Sequence, residues 1–424
     1  MADLARHTDE RGFWHGAGRS AATHARVAAT DGRAAAAHRR TDVSTAAASE
    51  TAVGRITSLD ALRGFAMFWI LAGDHFAWAL HDMAHGKEGP LAGAVQFVSE
   101  QFMHVDWEGL RFYDFLLPLF VFVIGVSIVF SLTRLVEREG PWIAHRRVLM
   151  RSALLFALGV IYYGGAGNHW PDVRLLGVLQ RLALCYLFAS LLFLHLRPRG
   201  LVIACLALLV GYWGLMTFVP VPGVGAGSYA KGANLAHWVD AQFLPGLRLY
   251  GDWDPEGLLS TLPAVASCLL GVLAGLLLKT PRLDPVQKAQ WLLGAGVALV
   301  VLGHLWGLQF PIIKNIWTSS FVLVTGGYSL LLLGLFYAVI DVRGRKAWST
   351  MFVWIGANAI LLYMLNNLIE YQAIARKLVG GDIQRFLDAH LGYGAGSFVR
   401  VAVALTVAVA LARWLYQRKI FVRV

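Results

Sequence analysis

Ten stretches of about 20 mostly apolar residues run through this chain, each long enough to cross a bilayer as a helix. They lie at roughly 64–82, 112–133, 148–166, 175–195, 200–219, 257–278, 290–308, 318–340, 350–371 and 398–416, with polar or Gly/Pro-marked breaks between them. Two or three soluble domains would be the ordinary reading of 424 residues, but 57% hydrophobic and 15% charged residues, with a mean hydropathy of +0.57, argue against it. The pattern predicts an all-α polytopic membrane protein whose ten transmembrane helices close into one bundle. Residues 1–54 stand apart, rich in Ala, Arg, Thr and His. They are expected to form a disordered polar cytoplasmic tail, or an over-long start, ahead of a transmembrane domain at 55–424.

The formal net charge of +11 would suggest nucleic acid in a soluble protein. Here the basic residues fall singly between apolar runs, as membrane orientation signals do, so no nucleic-acid partner is expected. Sorting them by loop gives the orientation. One set of short connections holds Arg134, Arg138, Arg146, Arg147 and Arg151, then Arg197 and Arg199, then Lys279, Arg282 and Lys288, then Arg343, Arg345 and Lys346. The alternate set is longer yet poorer in Lys and Arg, and it carries the acids, among them Glu88, Asp106, Glu108, Asp172, Asp254, Glu256 and Asp382. Basic loops stay in the cytoplasm, which predicts both termini inside.

Cys185, Cys205 and Cys268 all lie in apolar runs and have no metal-type or disulfide spacing. The tail has no uninterrupted apolar core of the secretory kind, and no Asn-x-Ser/Thr sequon occurs, which disfavours a glycosylated eukaryotic origin. No metal site is expected. A multi-pass protein of a bacterial inner (plasma) membrane is the expected setting.

Ionisable residues inside spans are costly enough to be candidate functional groups. Asp74 and His75 sit in the first span, either at a site or as a buried pair that pins packing. Gln180 and Arg181 lie in the fourth span, where the Arg needs an anionic partner such as Asp114 or a ligand phosphate. At the inner end of the first span, Asp60 and Arg63 are three apart and share a helical face, with Gly64 allowing close approach. The most polar outer stretch, His104-Val105-Asp106-Trp107-Glu108-Gly109, leads to Asp114. An imidazole beside carboxylates at a membrane boundary suits a general base near neutral pH, although a loop His is also found simply solvated. Asp254 and Glu256, and Lys314 and Asn315, belong to further outer loops that ring a common vestibule if the helices form one bundle.

Six blocks in order carry a resemblance: Ser58-Leu59-Asp60-Ala61-Leu62-Arg63-Gly64; His104-x-x-Trp107-x-Gly109 with Asp114, Pro118, Phe120, Phe122, Gly125 and Ser127; Gly177-Val178-Leu179-Gln180-Arg181-Leu182; Asp254-Pro255-Glu256-Gly257-Leu258-Leu259; Lys314-Asn315-Ile316-Trp317; and Gly356-x-Asn358-x-Ile360. From Arg55 to Arg418-Lys419-Ile420-Phe421 the chain resembles the catalytic membrane domain of the heparan-α-glucosaminide N-acetyltransferase family, as a bacterial homologue. The resemblance implies transfer of acetyl from cytoplasmic acetyl-CoA to the amine of a glucosamine-type sugar or glycan on the outer side. It places the family's proposed active-site histidine on His104, with Asp106 or Asp114 orienting it. Acceptor contacts are expected from Asp74, His75, Trp107, Asp254, Glu256, Lys314 and Asn315. Donor contacts are expected from Asp60, Arg63, Arg147, Gln180 and Arg181, the basic groups among them meeting CoA phosphates. Asp74 departs from the family, whose animal members carry Asn there, and this leaves the acceptor open. So do direct transfer and an acetyl-histidine route, and a homodimer remains open beside the bilayer and acceptor as partners. The competing class is a transporter or flippase for a sugar or lipid-linked glycan, with Asp74, His75 and Arg181 as pathway residues.

Overall fold

The computed structural model describes residues 56–422, and the expected tail at 1–54 lies outside them. Fifteen helices are found among the described residues. The long ones are α1 (Thr57–Ala84), α3 (Phe112–Glu139), α4 (Pro141–Tyr162), α5 (Val178–His195), α6 (Pro198–Phe218), α8 (Thr261–Lys279), α9 (Pro285–Gly307), α10 (Ser319–Phe336) and α15 (Ala395–Gln417). Shorter ones are α2 (Pro90–Gln101), α7 (Leu235–Phe243), α11 (Thr350–Ala357), α12 (Ala359–Leu368), α13 (Tyr371–Val379) and α14 (Asp382–Leu391). A two-residue hairpin pairs Tyr229–Ala230 with Ala233–Asn234.

Every one of the ten apolar stretches is helical. Seven are long and apolar enough to cross a membrane, or eight if the pair α11 and α12, bent by 65° at one residue, is a single broken span. The other two, α1 and α4, are diluted by their own charge: Asp60, Arg63, Asp74 and Asp82 in α1, Arg146, Arg147 and Arg151 in α4. Their length is ample, since 28 residues at about 1.5 Å each reach about 42 Å.

Small residues set the tightest crossings. A Cβ on Gly125 of α3 would fall 1.9 Å from the Cys268 carbonyl oxygen of α8, and one on Gly64 of α1 only 1.7 Å from that of Phe352 in α11. Backbones in such contact leave no room for any side chain, as at many membrane helix crossings. The close approach expected at Gly64 is therefore present. Asp60 and Arg63 also pair as their spacing required, at 3.3 Å.

Loops of the same set meet one another. At the basic end, the Asp341 carboxylate accepts from the backbone N–H groups of Thr57 and Ser58, both at 3.1 Å, satisfying two of the orphan donors at the start of α1. At the acidic end, Glu108 bridges Ile313 and the Gly109 amide donates to the Ile312 carbonyl at 2.8 Å. That contact brings the loop before α3 against the loop before α10.

Candidate active-site cavity

A cavity of about 650 Å³ opens among the acidic-end loops and descends between α1, α3, α5 and α12. Its floor is apolar, with Met67, Leu116, Phe120, Leu179, Leu182 and Ile360. The upper wall carries Tyr113, Tyr162, Tyr163, Tyr363, Asn366, Arg174 and Glu256, and the mouth His104, Asp106, Lys231, Lys314 and Asn315. A mostly apolar recess with a few convergent polar groups is the usual form of a small-molecule site.

His104 is held from below. Its Nδ1 lies 2.7 Å from Asp114 Oδ1, and the other Asp114 oxygen accepts from the backbone N–H groups of Val105 and Arg111, both at 3.2 Å. Asp114 occupies the third position of α3, so it caps the helix with one oxygen and orients the imidazole with the other. Gly109, at φ 115°, makes the turn that lets the loop double back over the helix start. An acceptor-only carboxylate at Nδ1 favours a hydrogen on that nitrogen and turns the Nε2 edge away from Asp114. Lys314 Nζ sits at the ring edge, 2.8 Å from Nδ1, 3.2 Å from Nε2 and 3.2 Å from Asp114 Oδ1. Burial pulls the Lys314 ammonium below the usual lysine range, and the Asp114 carboxylate offsets part of that effect.

Opposite stands a buried ion cluster. Arg174 donates to both Asp254 oxygens, at 2.8 and 2.7 Å, and to Glu256 Oε2 at 2.9 Å, while its guanidinium covers the Tyr163 ring at 4.4 Å. The three side chains are 6%, 0% and 9% exposed for Arg174, Asp254 and Glu256. Burial pushes the Glu256 carboxyl up, and although it opposes the Arg174 charge too, the two carboxylates hold the guanidinium above its usual value.

Beneath this cluster, Asp240 of α7 accepts from the Leu258 and Asp254 amides at 2.8 and 3.3 Å, and burial raises its carboxyl to about 6. The folded chain therefore holds this proton more tightly than the unfolded one, where the value is ~3.9. The contribution of Asp240 to stability is greatest near pH 4 and declines as pH rises to about 6, by about 3 kcal/mol, then stays constant. The thermal midpoint of purified protein should accordingly fall over that interval, and in Asp240→Asn the fall should be smaller. Equal slopes in the two proteins would refute the assignment.

The structure brings together His104, Asp106, Glu256, Lys314 and Asn315 on the cavity, with Asp114 buried beneath. Between the two carboxylates weighed for His104, Asp114 is the partner. Asp106 is 90% exposed and pairs with Lys231 at 2.9 Å on the rim. Trp107 donates to the Tyr229 carbonyl at 3.0 Å and packs on His237 and Trp253, bracing the loops beside the cavity. Asp254 is enclosed by Arg174 and by the Leu249 and Glu256 amides, so it anchors the wall.

Asp74 and His75 are exposed on the flank of α1 and do not form a buried pair. Arg181 meets Ser260 Oγ at 2.5 Å and the Trp317 ring at 4.8 Å, not Asp114. Gln180 is buried with no protein partner for either amide atom. Arg63 reaches Ser127 Oγ at 2.7 Å toward the basic end, and Arg147 is at that end too, 3.7 Å from Glu139.

Sequence reasoning did not single out Tyr113, Tyr162, Tyr163, Tyr363 and Asn366. Tyrosines near span ends are common as interfacial residues, which hides those that turn inward. The polar pair Asn366-Asn367 near the end of the ninth span was the one available signal.

Residues 55–303 match the family model described as heparan-alpha-glucosaminide N-acetyltransferase, catalytic. The chain is 31% identical to the human heparan-alpha-glucosaminide N-acetyltransferase over 379 residues and 29% identical to the mouse protein over 378, each match covering 76% of this chain. It spans about half the length of these curated relatives, 55% and 56% respectively. The family model takes in the first span, the His104 loop, Asp114, the Arg174 cluster and α8, and on that match this chain belongs to the heparan-alpha-glucosaminide N-acetyltransferase catalytic family.

Proposed function

We propose that residues 55–424 form a ten-span acetyltransferase of a bacterial inner membrane, both termini cytoplasmic, which moves acetyl from cytoplasmic acetyl-CoA to the amine of a glucosamine-type sugar outside. The carrying observation is the His104–Asp114 pair on the cavity, with Lys314 at the imidazole edge. His104 Nε2 takes a proton from the amine as nitrogen attacks the thioester carbonyl. The tetrahedral carbon then expels the sulfur, the C–S bond breaks, and the proton passes on to the CoA thiolate. No metal takes part in this reading.

The donor is assigned to the basic end. Arg63, beside Asp60, and Arg147 offer charge there for CoA phosphates. The partnerless Gln180 amide, buried next to the floor residues Leu179 and Leu182, supports a path for the pantetheine amides between the two ends. The transporter reading needs Asp74, His75 and Arg181 on one pathway. Instead Arg181 is enclosed by Ser260 and Trp317, while the other two are exposed on α1.

Sealed vesicles holding the purified protein and labelled acetyl-CoA, with glucosamine outside, provide the test. Labelled N-acetylglucosamine outside and free CoA inside are expected. Product from permeabilised vesicles alone would reject the sidedness, and no product from either would reject the enzyme.

A further inference from the structure

The ninth span is broken at a residue whose two amide groups are both in use. Asn358, at φ −132° and ψ 34°, donates from Nδ2 to the Ile420 carbonyl and accepts at Oδ1 from the Val422 amide, both at 2.9 Å. One side chain thus grips the segment after α15 as a paired strand would. Two residues earlier, Gly356 lies against α1, where a Cβ would stand 2.0 Å from the Asp60 carbonyl oxygen. The break is pinned from two sides, and α12 leaves it at 65° to α11.

That angle decides what α12 shows to the cavity. Ile360, Tyr363 and Asn366 recur every three residues on one helical face, and all three line it, from floor to upper wall. The Tyr363 ring is stacked on Tyr162, with centroids 4.7 Å apart and planes 10° from parallel, and Asn367 ties the end of α12 to α4 through the Tyr162 carbonyl at 2.5 Å. The result is a stacked aromatic pair and a neutral amide lining the same cavity as Glu256 and Lys314.

We infer that this face of α12 is the subsite for the acceptor's sugar ring, and that Asn358 with Ile420–Val422 is the clamp that aims it. The substrate class, an amino sugar, rests on the acetyl-transfer reading above. A pyranose has one apolar C–H face, which matches an outer face of the tyrosine stack, and a rim of hydroxyls, which matches the Asn366 amide and the Glu256 carboxylate. A linear pantetheine has no flat face to stack and is matched instead by the apolar floor. Tyr363 and Asn366 touch the ring in this account, and Asn358 is a positioning residue.

The test reads acceptor and donor separately in the full-length protein. Calorimetry with glucosamine gives binding without turnover, and transfer kinetics give KM for glucosamine and for acetyl-CoA. Tyr363→Leu and Asn366→Ala should each weaken glucosamine binding and raise its KM about ten-fold, with kcat and the acetyl-CoA KM within about two-fold. Asn358→Leu should move the same two quantities, and Asn358→Asp, which can still accept from Val422, should move them less. If Asn358→Leu does not fold, the two cavity variants still decide. Unchanged glucosamine affinity, or a change confined to the acetyl-CoA KM, would overturn the subsite. A wild type that binds glucosamine without acetylating it refutes the transfer reading but leaves the subsite standing if Tyr363→Leu abolishes binding. Glucosamine that neither binds nor reacts overturns both.

Discussion

Replacing Arg174 with Met should cost about 3–5 kcal/mol, a large part of the roughly 5–15 kcal/mol that holds a typical protein folded. The reason is what remains. Asp254 has no exposed surface and Glu256 little, so removing the guanidinium leaves Asp254 buried without its ion-pair partner, and Glu256 with only the Arg181 and Lys314 charges to offset it. Coulomb repulsion and desolvation then act together, and protonation relieves only part of the strain. Arg174→Lys should rescue poorly, because an ammonium cannot offer the parallel pair of N–H groups that meets both Asp254 oxygens. Adding Asp254→Asn to Arg174→Met should recover part of the loss, which marks the loss as electrostatic. Thermal unfolding in detergent measures all three. A drop of less than about 1 kcal/mol in Arg174→Met would show the cluster to be solvated and the wall less enclosed than described.

The same cluster shows which features a sequence discloses. Apolar length is local information, and so all ten stretches emerged as helices at nearly their expected positions. Charge alternation is local too, and it can be read without knowing how the loops pack. Pairing across the chain is not local. Nothing in the loop of Asp254 reveals that Arg174, 80 residues away, pairs with it. Asp341 could not be foreseen as the cap of α1, 284 residues distant.

The His104 site lies between these cases. His104 and Asp114 are ten apart, and the intervening loop carries a second candidate, Asp106. What separates the two carboxylates is that Asp114 begins a helix. A carboxylate in a first helical turn is drawn to backbone amides, which fixes its position and leaves one oxygen for a neighbour. Asp106 has no such anchor and turns outward to Lys231. Likewise the motif Gly356-x-Asn358-x-Ile360 was visible, but the bend it produces, and with it the inward aim of Tyr363, needed the C-terminal segment in place.

His104→Ala should lower kcat by about 10²–10⁴-fold, the usual range for removing a positioned general base, with acetyl-CoA binding unchanged. Asp114→Asn should act in the same direction by a different route. An amide can donate to Nδ1, which moves the imidazole hydrogen to Nε2 and removes the lone pair the amine's proton requires. Helix capping should largely survive that change, since the Asn oxygen still accepts from a backbone amide. The transfer rate of Asp114→Asn should fall, and because the change also removes the counter-charge of the Lys314 ammonium 3.2 Å away, its thermal midpoint should fall as well. Asp106→Asn is the control, because its carboxylate faces Lys231 and solvent, and its rate should remain within about two-fold. The rates come from transfer of labelled acetyl to glucosamine at saturating donor and acceptor. Retention of more than about a tenth of wild-type kcat in His104→Ala would remove the imidazole from the chemistry and leave the cavity as a binding site whose base must be sought among its other walls.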